Sequence, residues 1–166
     1  LKHLLNGLWW SGLRLEESLN LWWDRFDRIS IDMSHGRPVL RIPAEREKGN
    51  RNRQYPVATE FAEMILAVPE ESRKGPFFTV LTKQGKPYSS TRHRVGKIIA
   101  ELGRKAGIVV NADQNTGEKE FASAHDLRRS FGERWSKRVE APFLQRMMRH
   151  SSITTTLRFY TSRDAA

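Results

Sequence analysis

The chain contains no cysteine, which excludes disulfide cross-links, thiolate-bound zinc and a cysteine nucleophile together. The same absence fits a reducing, intracellular compartment, and the expectation is a cytoplasmic protein. Long hydrophobic runs are missing too. No stretch approaches the ~20 apolar residues that cross a bilayer, and no basic amphipathic helix stands apart as a surface anchor, so the membrane drops out as a partner. Negative charge is scarce: 19 acidic residues face 29 lysines and arginines, for a net charge of +10. That surplus points to a polyanion, nucleic acid first, although charge alone reads equally well as a merely soluble basic surface. Neither an initiator methionine nor a secretory leader opens the chain, which therefore reads as an excised fragment. Internal repeats and low-complexity tracts are also absent.

What is present suffices for one core. With 166 residues, 38% of them hydrophobic, the chain can bury a single core and not two. Five tryptophans and eight phenylalanines, with runs such as Leu8-Trp9-Trp10 and Leu21-Trp22-Trp23, supply the large side chains that ordered cores bury. Apolar residues at helical spacing predict a helix from Leu4 to Trp10, broken at Ser11-Gly12, and a second from Leu15 to Leu21. Alternation around Ile29 and Ile31, from Val39 to Ile42 and from Arg53 to Val57 predicts three short strands of one antiparallel sheet. Lys48-Gly49-Asn50-Arg51 suits a tight turn between the last two, with Lys48 near its tip.

Thr59 can cap a helix to about Ala67. Pro69 to Pro76 reads as a loop, Ser90 to about Ala106 as a basic amphipathic helix, and Asn111 to Glu120 as a second loop. From His125 the pattern is helical to Val139, restarts at Pro142, a favoured first-turn residue, and restarts again after Ser151-Ser152 through Phe159. The fold class is α+β: mainly helical, with a small three-stranded antiparallel sheet.

Six residues could carry chemistry, and each has a bland alternative. His125 and Arg128 lie three apart in a helical stretch, so they share a face and can converge on one anion; a solvated helix face explains the pair as well. Arg14 follows a glycine corner and precedes Glu17 by one helical turn, which suits a local ion pair. A lysine at a hairpin tip, as at Lys48, usually protects an edge. His150 stands beside Arg149 at a helix break. Tyr160 falls in line with Ile153, Thr156 and Leu157, which argues that its ring belongs to an apolar face. The ordered set of Arg, hairpin Lys, His-x-x-Arg, His and then Tyr ten residues later has no single bland explanation.

Four segments carry a resemblance. Ser11-Gly12-Leu13-Arg14-Leu15-Glu16-Glu17 resembles the first arginine box of the tyrosine recombinases, the phage integrase family. Glu47-Lys48-Gly49-Asn50-Arg51, followed by Tyr55-Pro56-Val57, resembles their catalytic hairpin. Ala124-His125-Asp126-Leu127-Arg128-Arg129-Ser130-Phe131 resembles their second box, and Met147-Met148-Arg149-His150-Ser151-Ser152-Ile153 through Tyr160 resembles the last. The chain departs from the commonest pattern at Arg149, where many members carry glycine. The resemblance implies a tyrosine recombinase catalytic domain spanning residues 1–166, with the family's N-terminal core-binding domain absent.

It also implies roles. Tyr160 attacks a DNA phosphodiester and leaves a covalent 3′-phosphotyrosyl link that a 5′ hydroxyl of another strand then attacks. Arg14 and Arg128, two permanently charged planar forks, hold the non-bridging oxygens. His150 adds a hydrogen bond to that phosphate, His125 accepts or relays the tyrosine proton, and Lys48 protonates the departing 5′ oxygen. Glu17 orients the cluster. No cofactor is implied, neither metal nor nucleotide. The expected partner is double-stranded DNA, with a tetramer on two duplexes for the full-length protein and a monomer for the fragment. Arg51, Arg92, Arg94, Lys97 and Arg104 are candidates for phosphate contacts. The competing readings are a type IB topoisomerase-like enzyme, which religates the same strand, a DNA-binding module of this fold that has lost catalysis, and a basic helical protein with some other partner.

Overall fold

A computed structural model describes residues 1–43, 53–81, 84–85 and 92–161. Helix α1 (Lys2–Ser11) ends at Gly12, which adopts the left-handed conformation, φ 60°. That conformation favours glycine, and space demands it as well: a Cβ on Gly12 would stand 2.4 Å from the Phe131 ring. The chain turns there into the short α2 (Leu15–Leu19), which stops two residues earlier than its apolar pattern suggests. Strands β1 (Ser30–Asp32), β2 (Val39–Ile42) and β3 (Arg53–Pro56) form the predicted antiparallel sheet in that order. Register places Ile31 opposite Leu40 and Leu40 opposite Tyr55, so one buried row crosses all three strands and faces the core.

Helix α3 (Thr59–Leu66) follows; Ala58 holds the cap position, and Thr59, expected as the cap, is instead the first helical residue. A single 3-10 turn, Glu70–Ser72, interrupts the expected loop. Helix α4 (Arg92–Lys105) leads into a feature absent from the sequence expectation: residues read as a loop form a two-stranded hairpin, β4 (Val109–Ala112) and β5 (Lys119–Phe121). Its residues are mostly exposed, so no buried row marks it in the sequence. Three helices complete the described residues: α5 (Ala124–Ser136), α6 (Ala141–Met148) and α7 (Ile153–Thr161). None of the described helices is long and apolar enough to cross a membrane.

Two apolar clusters hold these elements. The larger joins α1, the sheet, α3 and α4 through Leu4, Leu8, Leu40, Phe61, Phe78 and Ile99; the smaller joins α5 and α6 through Phe131, Leu144, Met147 and Met148. Phenylalanines fill the centre, whereas the tryptophans expected there are only partly buried. Trp9 instead lies under the Arg134 guanidinium, 3.6 Å from its ring centroid, a contact that keeps a large amphipathic ring at the surface. Helix α5 packs against α1 and touches α4, α6 and α7, so what it carries is presented to several of the helices.

Candidate active site

The Gly12 turn fixes where Arg14 stands. Arg14 caps α2 with extended backbone, and Glu17, one turn on, closes a capping box: the Arg14 N–H donates to Glu17 Oε2 at 2.7 Å and Arg14 Nη1 donates to Oε1 at 2.8 Å. The Arg14 side chain stays half exposed while the Glu17 carboxylate is mostly covered. Arg149 Nη2 donates to the same Oε2 at 3.0 Å, and Arg128 Nη1 lies 3.9 Å away. Burial opposes the charge on Glu17, but Arg149, the Arg14 N–H and Arg128 overcome it and hold the carboxyl down at about 2.

Helix α5 supplies the next pair. Ser123 caps it, receiving the His125 N–H while its own N–H donates to Asp126 at 2.8 Å, so the helix starts at a fixed point. His125 sits exposed on the first turn and Arg128 is buried one turn further. The Arg128 guanidinium donates through Nη1 to the Gly12 carbonyl and through Nη2 to the Met148 carbonyl. Burial, and then the neighbouring charges of Arg149 and Arg14, push it down to about 9, so it remains a cation at neutral pH.

His150 comes from the break between α6 and α7. Its Nδ1 meets the buried Thr156 hydroxyl at 2.9 Å, and its backbone is held on both sides by Gln145. Burial first, then the charges of Arg128, Arg14 and Arg149, hold the imidazole down at about 4 against the pull of Glu17. The ring is therefore neutral at pH 7; if the Thr156 hydroxyl donates to Nδ1, the ring proton sits on Nε2.

These side chains line one cleft. It measures about 710 Å³ and is lined by Arg14, His125, Arg128 and His150, and by Arg92 and Lys97 of α4. Behind His125, Arg128 and His150 a second cavity of about 390 Å³ opens toward Arg158 and Phe159. Phe159 stacks on His150 with the ring planes 7° apart and the centroids 6.3 Å apart. Tyr160 lines neither cavity: its hydroxyl donates to the Val139 carbonyl at 2.5 Å, and its ring packs against the smaller apolar cluster.

The complete chain, residues 1–166, matches the model of the phage integrase family. The chain belongs to that family. No curated protein sequence matches it. Among solved structures this phage integrase chain is similar to the Tn1549 transposon integrase in complex with transposon right end DNA, at 21% identity and a TM-score of 0.57 over 95% of this chain and 53% of that one. It is similar to XerA recombinase at 21% identity and a TM-score of 0.56, over 96% and 55%. It also resembles XerH site-specific recombinase bound to palindromic difH substrate, at 22% identity and a TM-score of 0.58, over 98% and 42%. The likeness is one of fold, and the chain spans about half the length of the structures it matches.

Of the residues singled out in the phage integrase sequence, the fold thus gathers Arg14, Glu17, His125, Arg128 and His150 and sets Tyr160 apart. Lys48 and Arg51 lie outside the described residues. Arg92 and Lys97 border the cleft; Arg94 is exposed on α4 but does not line it, and Arg104, near the far end of that helix, is paired with Glu101 at 2.7 Å. Two contributors escaped sequence reading. Thr156 looked like part of an apolar stripe with Ile153 and Leu157, yet those two are exposed and Thr156 is fully buried. Arg149 registered only as a departure from the family pattern, although its side chain is 3% exposed in the middle of the cluster. A charged residue in the left-handed conformation, φ 54°, leaves no mark in sequence periodicity.

Proposed function

We propose that this chain is the catalytic domain of a tyrosine recombinase, which breaks and rejoins double-stranded DNA through a covalent 3′-phosphotyrosyl link formed by Tyr160. The observation that carries the reading is the convergence of Arg14, His125, Arg128 and His150, drawn from three separate stretches of sequence, on one open cleft edged by further cations. A phosphodiester in that cleft would meet two guanidinium groups. One is half exposed and the other braced by backbone carbonyls, an arrangement that offers preorganised charge to the pentacovalent transition state. Arg128 spends two hydrogen bonds on Gly12 and Met148, and a guanidinium has five N–H donors, so donors remain for a phosphate oxygen. Neutral His150, in the tautomer that accepts from Thr156 at Nδ1, adds an Nε2–H donor to the same oxygens.

Tyrosine is a weak nucleophile at neutral pH, its ordinary pKa being about 10, and attack requires that its proton leave as the bond to phosphorus forms. Exposed His125 is the group on the cleft wall suited to accept or relay that proton. Lys48 then protonates the departing 5′ oxygen. The cycle closes when a 5′ hydroxyl of another strand displaces the tyrosine from phosphorus and the phenol takes back a proton. Tyr160 has to release the Val139 carbonyl before any of this happens. The role in cells, with DNA as partner, a tetramer on two duplexes and a cytoplasmic location in a bacterium or phage, belongs to this proposal, as does the assignment of residues 1–166 as one domain of a longer protein.

The test uses the full-length protein and a nicked suicide duplex carrying its junction. A protein–DNA adduct that survives denaturation, and disappears in Tyr160→Phe, is the expected result. Tight DNA binding without any adduct sinks the catalytic reading in favour of a DNA-binding module, a second reading that rests on the Tyr160 hydroxyl being held outside the cleft.

A further inference from the structure

Arg149 is the one residue other than glycine with positive φ among the described residues. Glycine would adopt that backbone without strain, so a reason for arginine has to lie in its side chain. The side chain is buried, and burying a charge is unfavourable unless acceptors surround it. Here they do: Nη1 donates to the Met147 carbonyl at 2.6 Å, and Nη2 donates to the Gly12 carbonyl at 3.2 Å and to Glu17 Oε2 at 3.0 Å. Its Nε, also buried, has no hydrogen-bond partner among the described residues. Strained backbone and an unsatisfied donor both work against stability.

The acceptors explain what is gained. The Gly12 carbonyl also receives Arg128, and Glu17 Oε2 also receives the Arg14 N–H. Arg149 thus shares one acceptor with each of the other two arginines, and it stands next to His150 in the chain. Three guanidinium groups share a single carboxylate, which leaves the cluster with an excess of positive charge.

We propose that Arg149 is a positioning residue of the active site: its buried guanidinium ties Glu17 and the Gly12 carbonyl to the segment that carries His150, and so sets the spacing among Arg14, Arg128 and His150. The proposal rests on the tyrosine recombinase reading for its consequence in catalysis, and on geometry alone for its consequence at His150. That imidazole is faced by Arg14 and Glu17 from the α2 corner, by His125 and Arg128 from α5, by Arg149 from its own segment and by uncharged Thr156 and Phe159 from α7, with Arg158 of α7 and Arg129 and Glu133 of α5 lining the second cavity beside it. Arg92, His93 and Lys97 stand on α4 beside the cleft.

The experiment compares R149G and R149K with the unaltered full-length protein. R149G removes the guanidinium and relieves the backbone at once, so the loss it reports is that of the side chain. Two quantities are read: the titration midpoint of His150 by NMR without DNA, assigned with His150→Gln, and the single-turnover cleavage rate beside DNA affinity on the suicide duplex. In R149G the midpoint rises toward the ordinary histidine value, and cleavage slows between about tenfold and a hundredfold while affinity changes much less, as expected when a reacting group is misplaced. R149K keeps the charge without bridging both acceptors and falls between. A folded R149G with unchanged midpoint and unchanged cleavage overturns the proposal. Should R149G not fold, the same readings on R149K decide, and unaltered values there overturn it. If the unaltered protein forms no adduct, the recombinase reading fails, while the DNA-free titration still rules on Arg149.

Discussion

At the scale of single residues, Arg14 and Arg128 carry the same proposed chemistry on opposite structural terms. Arg14 is half exposed, and its ion pair with Glu17 is of the surface kind, worth less than about 1 kcal/mol. Arg128 is buried, and its loss would strand the Met148 carbonyl, leave the Gly12 carbonyl to Arg149 alone and remove part of the counter-charge of Glu17, a penalty of about 3 kcal/mol or more. Both Arg14→Ala and Arg128→Ala should abolish adduct formation. Only Arg128→Ala should lower the midpoint of urea denaturation substantially, and equal losses of stability would contradict the bracing described for Arg128. Sequence had little to say on this difference. It marked both arginines by their neighbours, Gly12 in one case and His125 in the other, but the partners that bury Arg128 are backbone carbonyls, which no side-chain pattern reveals.

At the scale of elements, the junctions between helices determine how the protein responds to acid. His150 and Glu17 both titrate below their ordinary values in the folded state. A group whose folded value is depressed favours folding above its unfolded value and loses that contribution as pH falls through the folded one. For His150 the window runs from 6.5 down to about 4. For Glu17 it runs from 4.5 down to about 2, a contribution of about 3 kcal/mol by linkage. Stability measured by urea at pH 7, 5 and 4 should therefore fall stepwise, with His150→Gln flattening the first step; an unchanged profile in that variant would show that another group sets it. Helix α7 illustrates what periodicity misses. It buries Thr156 and half-buries Phe159 and Tyr160, while Ile153 and Leu157 are exposed, because it rests against α5 at Gly132, where a Cβ would stand 2.6 Å from the Phe159 ring. Successive helical residues differ by about 100°, so under the proposed reading a turn of α7 by about that angle brings Tyr160 to the seat Phe159 now occupies. The β4–β5 hairpin escaped for a related reason. It leans on α4 through Gly103, where a Cβ would stand 2.0 Å from the Ala122 carbonyl oxygen, and contact through backbone leaves no apolar alternation to read.

At the scale of the whole molecule, the net charge of +10 acquires a direction, since Arg14, Arg92, Lys97 and Arg128 all border one cleft. Binding to duplex DNA should weaken steeply and linearly on a log–log plot against salt, and Lys97→Ala should make the slope shallower by about 1 if that lysine neutralises a phosphate. A slope unchanged by Lys97→Ala would place the DNA elsewhere. The helical layer and the three-stranded sheet were legible because their apolar residues follow helix or strand periods; the assembly of the site was legible only as an ordered set of residue types. What order alone hides is distance along the chain. Arg128 reaches back 116 residues to Gly12, and Arg149 reaches back 137. Under the proposed reading, a polypeptide still emerging from the ribosome possesses the first arginine long before it possesses either partner, so the proposed centre assembles only when the chain is nearly finished.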